Sequence, residues 1–176
     1  THSADEVAKF FVAIAQDVRV SPGNAASEVY PGYPGLVLTE GAVRSMAWGF
    51  PLALTGAKGQ PLKPRPVNNA RSDKLTSPFW SASFRARRCL IPLSAYAEAE
   101  GPKGAMTRTW LSLPDSPLMA VAGLWRDTAE WGAAYAMVMT GANEQAAAVH
   151  HRMPLILDQA DWSDWLGSDP LAALAL

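Results

Sequence analysis

Apolar positions change their period along the chain. Val7, Phe10, Phe11 and Ile14 recur at the three- and four-residue spacing of one helix face, and Ser3 and Glu6 stand at capping-box spacing before them. This predicts a helix over about residues 4–16. Residues 19–38 are then punctuated by Pro22, Gly23, Pro31, Gly32, Pro34 and Gly35. The segments 37–39 and 43–48 read as short paired strands with Glu40-Gly41 as their turn. Residues 56–68, rich in Pro, Gly and Lys, read as a loop. Further strands are predicted at 89–92, 107–113, 119–125, 134–139 and 154–157, an Ala-rich helix at 143–151 and a short helix at 161–166. Many strands, few helices between them and short connections predict an α+β fold. Its sheet should be largely antiparallel, curved or barrel-like, with a few flanking helices, in a single domain spanning 1–176. Neither an internal repeat nor a Gly-rich phosphate loop is present.

Composition narrows the classes. With 176 residues, 49% apolar and 18% charged, the chain has enough material for a core and is no disordered tail. No apolar run reaches the roughly 18 residues that span a bilayer, and no leader is visible, so no membrane association and a cytoplasmic setting are expected. Cys89 stands alone, which excludes an internal disulfide and a multi-thiolate zinc site. The net charge of −1 predicts no polyanionic partner by itself, but it hides an asymmetry. Between Lys58 and Arg88 stand eight basic residues and one acid, Asp73, whereas the remaining residues hold 7 basic and 15 acidic groups. Such segregation suits a phosphate backbone on one face and equally suits a solvated basic loop.

Candidate chemistry is sparse. His150-His151-Arg152 crowds two imidazoles and a guanidinium, which favours one neutral imidazole and suits acid/base work; a cation-capped helix end is the plainer alternative. Adjacent histidines are expected to point in different directions, so no metal site is predicted. Tyr96-Ala-Glu98-Ala-Glu100 offers a pocket carboxylate or merely exposed loop acids. Asn69-Ala-Arg71 pairs an orienting amide with a phosphate-binding fork. Trp48 and Phe50 could stack bases or belong to the core, while Trp110, Trp125, Trp162 and Trp165 read as core. Cys89 sits in an apolar strand and reads as an inert buried thiol.

Six blocks in register resemble the SOS-response-associated peptidase (SRAP) family, whose members shield abasic sites in single-stranded DNA. They are Met46-Ala-Trp-Gly-Phe-Pro51, Asn69-Ala-Arg-Ser-Asp73, Arg88-Cys-Leu-Ile-Pro92 with Tyr96-Ala-Glu98, Ala122-Gly-Leu-Trp125, Met139-Thr-Gly-Ala-Asn143 and His150-His-Arg-Met-Pro-Leu-Ile-Leu157. The resemblance covers about residues 3–166. It implies Asn69, Glu98 and His150 as catalytic residues, with Trp48, Arg71, Thr140 and Arg152 contacting DNA. Three departures stand out: Ala99 replaces the usual aromatic after the glutamate, Asp73 replaces a glutamate, and the family's N-terminal cysteine nucleophile is not in the chain. A short Cys-bearing segment upstream is the expectation, with a natural non-covalent homologue as the alternative.

The resemblance implies a thiazolidine crosslink between an N-terminal cysteine and the abasic aldehyde, removal of the protein's own leading Met by the same residues, and no cofactor. The implied partner is single-stranded DNA with abasic sites, bound by a cytoplasmic monomer that is nucleoid-associated if bacterial. A non-covalent single-strand-binding module and a thiol hydrolase of small substrates are the competing classes.

Overall fold

A computed structural model of the chain describes residues 3–12, 19–20, 27–102, 104–167 and 169–176. Helix α1 (Ala4–Phe10) starts at the capping box: the Ser3 hydroxyl accepts the Glu6 N–H, and the Glu6 carboxylate accepts the Ser3 N–H. Phe11 is its C-cap, so the helix is shorter than the spacing predicts; residues 13–16 of that predicted stretch, Ile14 among them, lie outside the described residues, as do His2, Pro22 and Gly23.

The strands follow in order: β1 (Arg19–Val20), β2 (Pro34–Thr39), β3 (Ala42–Trp48), β4 (Phe50–Thr55), β5 (Pro61–Val67) and β6 (Asn69–Arg71). Helix α2 (Ser81–Ala86) precedes β7 (Arg88–Leu93), β8 (Tyr96–Glu100), β9 (Thr107–Leu111), β10 (Met119–Thr128) and β11 (Gly132–Gly141). After the single turn α3 (Glu144–Ala147) come β12 (Arg152–Pro154), β13 (Ile156–Leu157), α4 (Trp162–Leu166) and α5 (Pro170–Leu174).

Five strands close on themselves. β3, β2, β7, β10 and β11 pair in turn, and β11 returns to β3 through parallel pairs Ala134–Ala47 and Tyr135–Trp48. This is the curved, mostly antiparallel barrel that strand-rich patterning predicts. The β2–β3 turn has φ of 51° at Glu40 and 68° at Gly41, the paired positive angles whose twist matches a hairpin. Alternate residues of the barrel strands form two clusters. Val37, Cys89, Ile91, Val121, Tyr135 and Met137 face inward, and Tyr135 reaches across to Gly35, where any Cβ would collide with its hydroxyl. Leu38, Leu90, Ala122, Leu124, Ala136 and Val138 face outward, and α1, α2, α4 and α5 cover them with Phe11, Phe84, Trp162, Trp165 and Ala173. The alanines there let helices approach the sheet closely.

Two expectations change. The loop expected over 56–68 is instead most of a hairpin: β4 and β5 pair from Phe50–Val67 to Thr55–Pro61, and Lys63 and Arg65 lie on one exposed face. Pro64 and Pro66 fit because the hairpin forms its own two-stranded sheet, where an edge strand needs no donor on one side. Arg88, counted with the basic segment, is only 6% exposed. Its guanidinium donates to the carbonyls of Phe84, Trp165 and Gly167 at the C-terminal ends of α2 and α4, so it serves the fold and is withdrawn from the charged surface.

Candidate active site and nucleic-acid interface

The C-terminal half of β11 gathers most of the predicted site. β6 runs parallel to one edge, pairing Asn69 with Met137 and Arg71 with Met139. β12 runs antiparallel to the other, pairing Met153 with Thr140 and Arg152 with Gly141. Asn69, Arg71, Thr140 and Arg152 therefore share one corner, although 83 residues of sequence separate the first from the last. Asn69 and Arg71 are exposed on either side of the fully buried Ala70, as the two-residue period of a strand requires.

Asp73, in the turn after β6, ties two of these cations together. It accepts from Arg71 through Nε at 2.9 Å and through the terminal nitrogen at 2.5 Å, and it lies 3.9 Å from Arg152. The Arg71 hydrogen bonds hold the Asp73 carboxyl below its ordinary range, with Lys74 and Arg152 adding to the effect, and raise the Arg71 guanidinium in return. All three side chains reach solvent, so the pair's value is orientation more than stability. One carboxylate for two guanidiniums leaves a surplus positive charge at this rim.

A groove of about 420 Å³ runs beside the corner. Ile91, Tyr135, Met137 and Met139 contribute inward-facing apolar lining. Trp48 and Asn69 line it from the β3 and β6 edge, and Tyr96, Glu98 and Trp110 line it from the β8–β9 hairpin. Trp48 is held by its indole N–H on the Asn68 carbonyl at 3.1 Å and by its ring, stacked on Tyr135 with centroids 6.5 Å apart. Gly49, at φ 119°, lets the chain turn from Trp48 into β4 where a Cβ would press on Pro66.

Glu98 lies on a strand, which corrects the loop reading of 96–100. β8 pairs with β9, and the pleat points Tyr96, Glu98 and Glu100 to one face and Ala97 and Ala99 to the exposed one. Ala99, the departure from the family pattern, thus lies on the opposite face of the strand from Glu98. Among the described residues nothing hydrogen-bonds the Glu98 carboxylate, whereas Glu100 accepts from the Thr109 hydroxyl. Partial burial pushes the Glu98 carboxyl above its ordinary range, and the His150 and His151 imidazoles oppose that rise. Burial, with Glu98 beside it, likewise pushes the Tyr96 phenol up.

His150 follows one turn of helix, its N–H on the Ala146 carbonyl at 3.0 Å; α3 is far shorter than the predicted 143–151. Its Nδ1 lies 3.2 Å from the Arg152 N–H and 3.1 Å from the Arg152 carbonyl oxygen. A neutral ring can accept from the first, and a protonated ring can donate to the second. The backbone serves both states and leaves Nε2 for another task. The His151 ring packs 4.3 Å from that of His150, centroid to centroid, because the chain turns between α3 and β12; the expectation that the rings diverge is incorrect. Arg152 donates to His151 Nε2 at 3.4 Å.

One aromatic assignment changes, one open alternative resolves to the core, and one groove residue is new. Phe50 is fully buried against Trp80 and the Arg126 guanidinium, so it presents no stacking face. Trp110, expected in the core, is 51% exposed and lines the groove. The sequence signal was its alternation with Arg108, a charge on the same strand face. Tyr135 was missed as a groove residue because its strand reads as uniformly apolar. Cys89 is fully buried, and burial pushes its thiol far up, away from thiolate chemistry. Among the described residues no group of three or more His, Cys, Asp or Glu is placed to hold a metal ion. Nor is any helix among them long and apolar enough to cross a membrane.

Comparison with known proteins gives the family and the fold. The family model described as SOS response associated peptidase (SRAP) matches residues 1–175. The abasic site processing protein YoqW of Bacillus subtilis (strain 168) is 31% identical over 105 residues, 56% of this chain and 46% of that protein, and the protein of the same name from Bacillus phage SPbeta matches equally. The match spans about half the length of these relatives. A solved protein from Bordetella bronchiseptica superposes with a TM-score of 0.77 at 21% identity, covering 97% of this chain and 87% of that one. Another, from Bacteroides thetaiotaomicron, gives 0.70 at 20% identity, covering 97% and 82%. At such identities the two structures speak for the shared fold.

Proposed function

The chain belongs to the SOS response associated peptidase family, and we propose that its groove receives abasic sites in single-stranded DNA and retains them through a covalent bond to an N-terminal cysteine. The observation that carries this is the assembly around β11. Glu98 and Asn69 line the groove, His150 lies within electrostatic reach of Glu98, and the tethered Arg71 and Arg152 stand at the corner beside it. The name of YoqW points the same way.

An abasic sugar opens to an aldehyde. The amine of an N-terminal cysteine adds to that carbon and expels water as a Schiff base, and its thiol then closes on the imine carbon to give a thiazolidine. Asn69 orients the amine. Glu98, whose burial keeps it a better proton acceptor than a free carboxylate, moves protons at the amine and the departing water. His150 exchanges a proton with the sugar oxygen through Nε2 while the Arg152 backbone steadies Nδ1 in either state. Arg71 and Arg152 take the flanking phosphates, Thr140 contacts the strand between them, and Trp48 props the stack apart. The same groups acting on a peptide carbonyl would remove a leading Met. No cofactor enters the scheme.

The test extends the chain by a Met-Cys-bearing segment upstream of Thr1 and incubates it with an abasic oligonucleotide, read on a denaturing gel and by intact mass. A heat-stable adduct is expected, formed at least about 10²-fold more slowly by His150→Ala and little affected by His151→Ala. The 176-residue chain, whose one thiol is the buried Cys89, should give none. No adduct from the extended chain, or equal effects from the two histidines, would overturn the scheme.

A further inference from the structure

We propose that Trp110 stacks a nucleobase flanking the abasic residue, so that the β8–β9 hairpin is a base-holding wall of the groove. This rests on the groove being an abasic-DNA site.

Of the seven tryptophans, Trp80, Trp125, Trp162 and Trp165 are buried, Trp48 is stacked on Tyr135, and Trp131 is half-buried in the β10–β11 turn, away from the groove. Trp110 differs from all of these: it is 51% exposed, it lines the groove, and among the described residues no aromatic ring or cation packs on its indole. Its strand neighbours keep it bare. The residue paired with it across the hairpin is Ala97, and the next position on that face of β8 is Ala99. Methyl groups cover little of an indole, so the ring presents an open apolar face.

The wall is braced. Arg108, two residues before Trp110 on the same strand face, donates to the Tyr30 hydroxyl at 3.1 Å, lies over the Tyr30 ring at 5.3 Å and sits 3.9 Å from Glu28. Tyr30 in turn donates to Glu28 at 2.7 Å. The hairpin is thereby tied to the segment before β2, which also borders the groove. Tying down the hairpin fixes the backbone on which Trp110 stands, so less of the wall has to be ordered when a ligand arrives.

The ligand chemistry follows from the surroundings. An abasic residue has no base, so a ring on this wall can meet only a neighbouring nucleotide. Stacking uses the π-face that every base has, so the contact tolerates sequence and depends on the presence of a base, not its identity.

The experiment measures binding of single-stranded oligonucleotides carrying a reduced, non-crosslinking abasic residue. The flanking base on one side, then the other, is replaced by a second abasic residue. For the native chain, removing one of the two flanking bases should weaken binding about tenfold or more, the usual worth of a stacked base. Trp110→Ala should bind the fully based oligonucleotide correspondingly less well and be indifferent to that removal, and Trp110→Phe should restore most of the sensitivity. 2-Aminopurine at that position should be quenched on binding the native chain and not Trp110→Ala. Sensitivity of Trp110→Ala equal to that of the native chain overturns the inference while leaving the groove reading intact. Failure of the native chain to bind any abasic oligonucleotide overturns both.

Discussion

Arg88→Met separates the cations that build the fold from those that meet DNA. In the native chain the guanidinium donates to the carbonyls of Phe84, Trp165 and Gly167, with a longer contact of 3.5 Å to Arg85. These are orphan acceptors at the ends of α2 and α4, which no intrahelical N–H can reach. A hydrogen bond from a charged donor contributes about 1.5–3 kcal/mol, so three of them would nominally total about 5–9 kcal/mol. Two effects reduce that figure. Burial costs the cation part of its hydration, which also depresses the Arg88 guanidinium, with Asp169 opposing, and methionine refills much of the vacated volume. A loss of about 3–5 kcal/mol remains, because three carbonyls left without a donor cost about 1–3 kcal/mol each and only part of that is recovered. At about 2–4 °C per kcal/mol for a chain of this length, the melting temperature should fall by roughly 6–20 °C. Thermal unfolding by circular dichroism measures this, and amide exchange should quicken first in α4. Binding to a single-stranded oligonucleotide, measured cold where the variant is folded, should keep its native salt dependence, because a buried guanidinium releases no counterion. A melting temperature within about 2 °C of native, or a salt slope lowered by about one phosphate, would refute the assignment.

Two further outcomes are expected. Folding raises the affinity of Glu98 for its proton, so ionising it costs stability as pH climbs above the unfolded value of about 4.3; Glu98→Gln should therefore melt higher than native at pH 8, with the difference gone by pH 4, and an equal gain at both pH values would count against the desolvated carboxylate. Gly123→Ala would set a Cβ 2.7 Å from Cys89 Sγ and 2.8 Å from Ile91 Cδ1, an overpacking worth about 1–3 kcal/mol in urea titrations; adding Cys89→Ala should recover part of that loss, and strict additivity of the two changes would contradict the contact.

The barrel was legible where a single strand face carries its information. The segments 89–92, 119–125 and 134–139 alternate or run apolar over their full length, and the Glu40-Gly41 turn announces its hairpin, so β2, β3, β7, β10 and β11 could all be read from local pattern. The misses share a physical origin. β4, β5 and β8 belong to two-stranded ribbons outside the barrel, half in water, and such strands lack the buried face that creates a hydrophobic period; β9, the partner of β8, was legible at 107–113. Proline in β5 and glutamate in β8 then look like loop residues. The basic segment failed for a different reason. Counting charge along the chain says nothing of direction, and Arg88 turns into the helix ends while its neighbour Arg87 faces solvent over Trp125.

The site was legible as a set of motifs but not as a place. Nothing in Asn69-Ala-Arg71 or Arg152-Met-Pro154 says that both flank the same strand; that depends on β11 using each edge twice, β10 then β12 on one and β3 then β6 on the other. A strand can do this only if its early partners stop short, and they do. β3 ends at Trp48, where Gly49 turns the chain away into β4, and the β11 pairing of β10 ends at Gly123 opposite Met137. β6 and β12 take the vacated positions beside Met137, Met139 and Gly141. The glycine after Trp48 and the early departure of β10 therefore do more than shape the barrel. They free the two edges on which Arg71 and Arg152 converge, close enough for Asp73 to face both.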